Sequence, residues 1–435
     1  MKLVKMSLAA AMLMGASAFA VENTKISGDA QLFYQTQDAK YLNYAGLAGT
    51  DAGLFNKDSS SADAALHLNV TTDLLENVSA GVSYTALSTL GLENNLVSNV
   101  WAGAHQASSS AGATFGGGLK VDTASWFNEA WIAATMGKTT AKLGRMSLDT
   151  PLAFTETWSI EQNTFEGAVL LNQDIPDTTL VAAWVGRGNG TEYFGIDELG
   201  WSTPYTLGLA TGGVVNANGQ FETYGLNGAY AFGIVNNSIK PLTVQAWYYD
   251  VVELAQAYWL EADLAMDNGI LAGAQYSSID YGDLDAKDND VYALMLGFTM
   301  KDVATIKGSY SSVGKNDFGL GAGYNTATYM GTAQSKLYTE AWWNYGYITQ
   351  NDTSAWNITV TGTVAAIDLG AFYTSVDQSK DAGNNDVSEF TFTAGKSFGP
   401  LDATLAYVYT DPSGDNTTND GKSYNIVQAY LTLNF

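Results

Sequence analysis

The feature that most constrains this chain is a period of two that returns along almost its whole length. In Trp356 to Val364 one parity is apolar or glycine, and the other is Asn and Thr. Ile26, Gly28, Ala30, Leu32 and Tyr34 share one face, while Ser27, Asp29, Gln31 and Phe33 share the other. The pattern recurs at Ala64/Leu66/Leu68/Val70, Val78/Ala80/Val82/Tyr84, Leu242/Val244/Ala246/Tyr248, Ile270/Ala272/Ala274/Tyr276, Ala304/Ile306/Gly308/Tyr310 and Leu369/Ala371/Tyr373. A side chain that changes face at every residue belongs to a strand, here with one greasy and one wet surface.

The segments between these strands are of two kinds, taken in turn. Short ones cover about 73–77, 137–139, 266–269, 300–302 and 398–400. Long ones cover about 38–61, 88–123, 147–162, 188–221 and 314–354. This predicts an all-β transmembrane antiparallel barrel of about 18 strands, with short periplasmic turns and long extracellular loops. An even count puts both chain ends on the periplasmic side. It also requires the aromatic-rich stretch 340–347 to lie inside the long seventh loop, about 314–354. Lipid offers no hydrogen-bond partner, so such a sheet must close on itself. A ring of that size is too wide for side chains to fill, and its polar parity lines a water-filled channel.

Composition agrees. Of 435 residues, 46% are hydrophobic, only 14% are charged, and the formal net charge is −25. With no cysteine, disulfides and thiolate metal sites are excluded, and no basic face exists for nucleic acid. His67 and His105 are the only histidines, too few for a zinc site or a hydrolytic triad, so an enzyme is not expected. Residues 1–20 read as a cleavable signal peptide: Lys2 and Lys5, an apolar Leu8–Met14, then Ala18-Phe19-Ala20. Residues 21–435 then form the barrel. Tyr34, Tyr84, Trp184, Tyr248, Tyr276, Tyr310 and Tyr373 sit at the loop ends of strands, where amphipathic rings suit the headgroup level.

Charge suggests selectivity. Asp29, Asp63, Glu129, Glu166, Glu261 and Asp263 are expected to face inward, against few inward cations such as Lys142 and Lys307. A unit charge ~8 Å away contributes on the order of 0.5 kcal/mol in water, so several acids together favour cations. The third loop, about 147–162, is the candidate constriction, with Asp149, Glu156 and Glu161 as its acids. The only two arginines, Arg145 and Arg187, stand at loop ends and are further candidates for lining the lumen. Arg145 shares parity with Leu143 and would point at lipid. A bulge, a protein contact or a carboxylate pinned at the loop base would each accommodate it. Asp283, Asp285 and Asp288 are weak calcium candidates within an Asp-rich loop. The spacing is not that of an EF-hand, and solvated charge, neutralised by divalent ions shared with lipopolysaccharide, is the preferred reading.

Two motifs carry a family resemblance. The run Leu143–Leu171, with Gly144-Arg145, Asp149-Thr150-Pro151-Leu152-Ala153-Phe154 and Asn163-Thr164-Phe165-Glu166-Gly167, continues into Asn172–Gly186 and resembles the OprD-like porins of epsilonproteobacteria. Val244–Asp250 and the chain to Ala265 look like the matching hairpin of the Campylobacter-type major outer membrane protein. The end Leu431-Thr432-Leu433-Asn434-Phe435 resembles the signal read by the barrel-assembly machinery, with Leu431, Leu433 and Phe435 on one parity. The resemblance implies a homotrimeric porin of the outer membrane of a Gram-negative bacterium. Its third and seventh loops would narrow the pore, and small solutes and cations would pass without a cofactor. Classical OprD channels use a basic ladder, from which this acidic chain departs. A substrate-specific channel for a small organic solute, or a plugged barrel acting as adhesin, are the alternatives.

Overall fold

The computed structural model describes residues 22–38, 53–92, 95–97, 99–100, 124–190, 194–195, 206–207, 215, 219–225, 227–282, 288–316, 320–328, 333–416 and 418–435. The expected leader, His105, Asp283 and Asp285 lie outside them. The alternating segments become β1 (Glu22–Gln37), β2 (Ser60–Leu75), β3 (Val78–Ser88), β4 (Ala124–Met136), β5 (Thr139–Met146) and β6 (Phe165–Asn172). They continue as β7 (Thr178–Gly188), β8 (Ala229–Asn236), β9 (Leu242–Val251), β10 (Ala255–Ala265), β11 (Ile270–Asp280) and β12 (Asn289–Met300). The last are β13 (Ala304–Val313), β14 (Thr353–Val364), β15 (Ile367–Gln378), β16 (Asn385–Phe398), β17 (Leu401–Gly414) and β18 (Tyr424–Asn434). Each pairs antiparallel with its neighbours in sequence, and β1 pairs with β18 from Asp29↔Asn434 to Gln37↔Ile426. The result is a closed antiparallel barrel of 18 strands. Every strand interior therefore finds its hydrogen-bond partners within the ring.

Closure is completed by the last residue. Gly28 N donates to Phe435 O and Phe435 N to Gly28 O, both at 2.9 Å. The Phe435 ring lies where a side chain at 28 would stand, since a Cβ there would come within 2.8 Å of it. The seam needs glycine at that position.

The outer face is apolar and exposed: Leu294, Leu296, Phe298, Leu260 and Phe232 show 45–71% of their surface. Above them stands the aromatic row, with Trp184, Tyr276 and Tyr310 exposed at 40–43%. An apolar band of that extent is costly in water and natural against lipid. The turns are short, such as Ala365–Ala366 between β14 and β15, and the other end carries the long loops. The stretch 340–347 lies in the segment between β13 and β14, where Tyr345–Tyr347 form a single 3-10 turn.

Candidate functional site

The candidate site is the lumen, and two loops fold into it against inward-facing wall residues. The first follows β5 and runs 147–164, and the second follows β13 and runs 314–352. The sequence folds the first locally into a tight turn. Thr155 N bonds Leu148 O at 2.8 Å, Thr150 Oγ1 bonds Ala153 O at 2.7 Å, and Asp149 bridges Phe154. A bulge in β4 anchors its base: Ser83 pairs with Glu129 but Tyr84 with Phe127, so Asn128 is extra and turns inward beside Glu129. Asn128 Nδ2 holds Gln162 O, and Thr164 Oγ1 donates to Asn128 O at 2.7 Å.

The second loop clasps the first. Glu156 Oε1 accepts from Asn325 Nδ2 at 3.0 Å, Thr328 Oγ1 at 2.6 Å and Gln334 N at 3.1 Å. Its Oε2 accepts Trp158 Nε1 at 2.9 Å. Asn325 also brackets Phe154, taking its N–H and donating to its carbonyl. Burial pushes the Glu156 carboxyl above the usual range, against the pull of these donors. Glu340, which accepts from Ser335 N and Oγ, is pushed well above it for the same reason.

The clasp is tied to the barrel wall on two sides. On one, Tyr338 Oη donates to Asp263 at 2.6 Å, Gln275 Nε2 to Lys336 O, and Ser311 meets Thr339. Tyr338 lies directly over Gly273, whose missing side chain leaves its room. On the other, Glu389 of β16 accepts N–H groups from Trp342, Trp343 and Asn344, plus Asn344 Nδ2 and Thr391 Oγ1. Trp342 Nε1 reaches Gln428, which bonds Gln35 across the closing seam.

This arrangement sorts the expected site residues. Asp149 is the exposed acid of the third loop, its side chain 84% open and 2.7 Å from Lys336 Nζ. Glu156 and Glu161 were expected beside it in the water path. Both are buried, at 1% and 0%, and for Glu156 the cover is the second loop, through Asn325, Thr328 and Gln334. Inward positions hold for Asp29, which meets His67 at 2.8 Å, for Glu129, which takes Trp131 Nε1, and for Glu261, which takes Trp259 Nε1. Asp263 also faces inward, as does Asp63, but Asp63 is fully buried at the wall.

Glu166 is a correction. It shares its face with Ala168 and Leu170, and it stands on the outer face opposite Arg145, with Nε to Oε1 at 2.7 Å. Arg145 also donates to Phe127 O and packs on the Phe221 ring, so it pins the base of the third loop and does not line the pore. Arg187, also expected in the lumen, is corrected likewise: a bulge at Gly186 brings it opposite Glu166 on the outer face. Local reading missed Asn325, Thr328, Lys336, Tyr338, Glu340 and Glu389. Only Glu389 had a local signal, its inward parity with Thr391 and Thr393. Asp288 is exposed, and among the described residues no group of three or more metal-ligating side chains gathers.

No family model matches the chain, and no curated protein matches it. Among solved structures, OccK8 (OprE) of Pseudomonas aeruginosa is similar with a TM-score of 0.67 at 12% identity, covering 96% of this chain and 99% of that one. OpdK of the same organism, solved with vanillate, gives 0.69 at 11% over 95% and 99%. OccAB2 of Acinetobacter baumannii gives 0.66 at 16% over 95% and 98%. The neighbours are outer-membrane porins of the OprD/Occ type, and the shared property is the 18-stranded barrel.

Proposed function

We propose that this chain is an outer-membrane porin giving passive diffusion of small hydrophilic solutes and ions, with a modest preference for cations. The observation that carries the reading is a closed barrel whose lumen is narrowed by two clasped loops, leaving Asp149 open to water. Asp29, Glu129, Glu261 and Asp263 add inward negative charge, offset in part by Lys142, Lys307 and Lys336. Because Glu156, Glu161 and Asp63 are buried and Glu166 faces out, the bias comes from fewer acids than composition suggests. The protein is exported by the leader 1–20, inserted through the terminal Leu431/Leu433/Phe435 signal, and assembled as a homotrimer.

Planar-bilayer recordings test this. Ohmic steps with a cation-biased reversal potential are expected, and Asp149→Asn with Asp263→Asn should move that potential toward zero. Silent bilayers with folded protein would overturn the reading. A substrate-specific channel is the second reading, favoured by OpdK having been solved with vanillate. Saturable current block by one small organic solute would establish it.

A further inference from the structure

We propose that the outer face of β5–β8 is a binding site for a phosphate-bearing lipid of the outer leaflet, with Arg145 and Arg187 as its headgroup clamp. The observations are independent of the pore. Both arginines of the chain meet on the outer face, on either side of Glu166, through the registers Arg145↔Glu166 and Glu166↔Arg187. Arg145 is held in place by Glu166, Phe127 O and the Phe221 ring. Arg187 is exposed and makes no ion pair with a described residue, so among the described residues the row sets two cations against one carboxylate.

The row stands two residues beyond Ala168, about 7 Å along the strand toward the loops. Beneath it opens a shallow apolar groove of about 550 Å³, lined on the outer face by Leu143, Ala168, Leu170, Ala182, Trp184 and Tyr230. Small residues at 168 and 182 form its floor, and the rings of Trp184 and Tyr230 form one wall. An acyl chain fits such a trough, and a phosphate above it falls at the level of the guanidinium groups. Bidentate donors suit phosphate geometry.

Charge around the rest of the rim selects the place. At the loop ends of β9, β11, β12, β15 and β17 the outward residues are Asp250, Asp280, Asp290, Asp377 and Asp411. An anionic headgroup is repelled there unless a divalent ion intervenes, and is drawn to β5–β7. This inference rests on the reading of the barrel as an outer-membrane channel. Its failure would leave the conductance unaltered, so the two fail separately.

The test is native mass spectrometry of the detergent-purified full protein with bis-phosphorylated lipid A, and with the same lipid after both phosphates are removed. Wild type should retain the phosphorylated form at least tenfold better. Arg187→Gln should lose about tenfold toward the phosphorylated form only. Ala182→Trp, which fills the groove, should weaken both forms, with heat-modifiability confirming that each variant is folded. Equal retention of both lipids by wild type overturns the proposal, as does wild-type retention by folded Arg187→Gln. Spontaneous disulfide linkage between copies at Ala182→Cys would also overturn it, because a second subunit would then cover the groove.

Discussion

Replacing Glu389 with Ala should loosen the second loop from the wall and make the channel larger and noisier. The carboxylate accepts Trp342 N at 2.9 Å, Trp343 N at 3.1 Å, Asn344 N at 2.7 Å and Asn344 Nδ2 at 2.8 Å. It is 3% exposed, so no bulk water stands ready to replace it. Each buried donor left without an acceptor costs about 1–3 kcal/mol. Three backbone N–H groups therefore set a ceiling of roughly 9 kcal/mol, which water entering the vacated space and relief from burying a carboxylate reduce to about 3 kcal/mol. That value raises the detached population by roughly a hundredfold. The barrel itself keeps its register, because Glu389↔Thr374 and Glu389↔Thr410 pair through the backbone. Single-channel recording should show frequent steps above the wild-type level, in protein that remains heat-modifiable. Wild-type conductance and noise in a folded Glu389→Ala channel would refute the claim that this carboxylate holds the constriction.

Three further outcomes follow from the same geometry. Lys336→Gln leaves Asp149 uncompensated, and a charge ~8 Å from the ion path at about 0.5 kcal/mol predicts a roughly twofold rise in cation preference by reversal potential. Burial raises the Glu156 and Glu340 carboxyls, so the clasped state holds protons that the detached loop releases. Clasp stability is thus fully present below the ordinary carboxylate range, near ~4.3, and is lost as pH rises through the raised values. Current flicker should increase from pH 4.5 to 8, and a flat profile would remove these groups from the clasp. Deleting Phe435, or placing Val at Gly28 where a Cβ meets the Phe435 ring and His67 O, should lower the yield of assembled barrel on heat-modifiability gels.

What the sequence discloses and what it conceals divide along the range of the interactions. Face assignment depends on nearest neighbours along one strand, and Leu66, Tyr276, Tyr310 and Trp356 all stand outward where alternation puts them. The alternation of turns and loops similarly yields the strand count, because each strand must be exposed on one face throughout its length. Glu166 departs because its parity, shared with Ala168 and Leu170, is outward, and an outward carboxylate is tolerable only with the arginine that the β5–β6 register supplies. That register is set between strands and is invisible within either one.

The buried acids of the constriction show the same limit at greater distance. Glu156 is covered by residues that lie 169 to 178 positions farther along the chain. Nothing in Thr155–Gln162 distinguishes an acid that meets water from one that meets Asn325 and Thr328. Asp149 and Glu156 lie seven residues apart on one loop, yet one is open to solvent and the other takes four donors. On the proposed reading as a channel, an exposed acid would act on the passing ion, whereas a buried one would act on the width through which the ion passes. Selectivity and pore size would then be carried by separate carboxylates. Substitution at Asp149 should change reversal potential at nearly constant conductance, and substitution at Glu156 should change conductance and noise first. If both variants moved both quantities together, the two loops would form one electrostatic unit and the separation argued from burial would not hold.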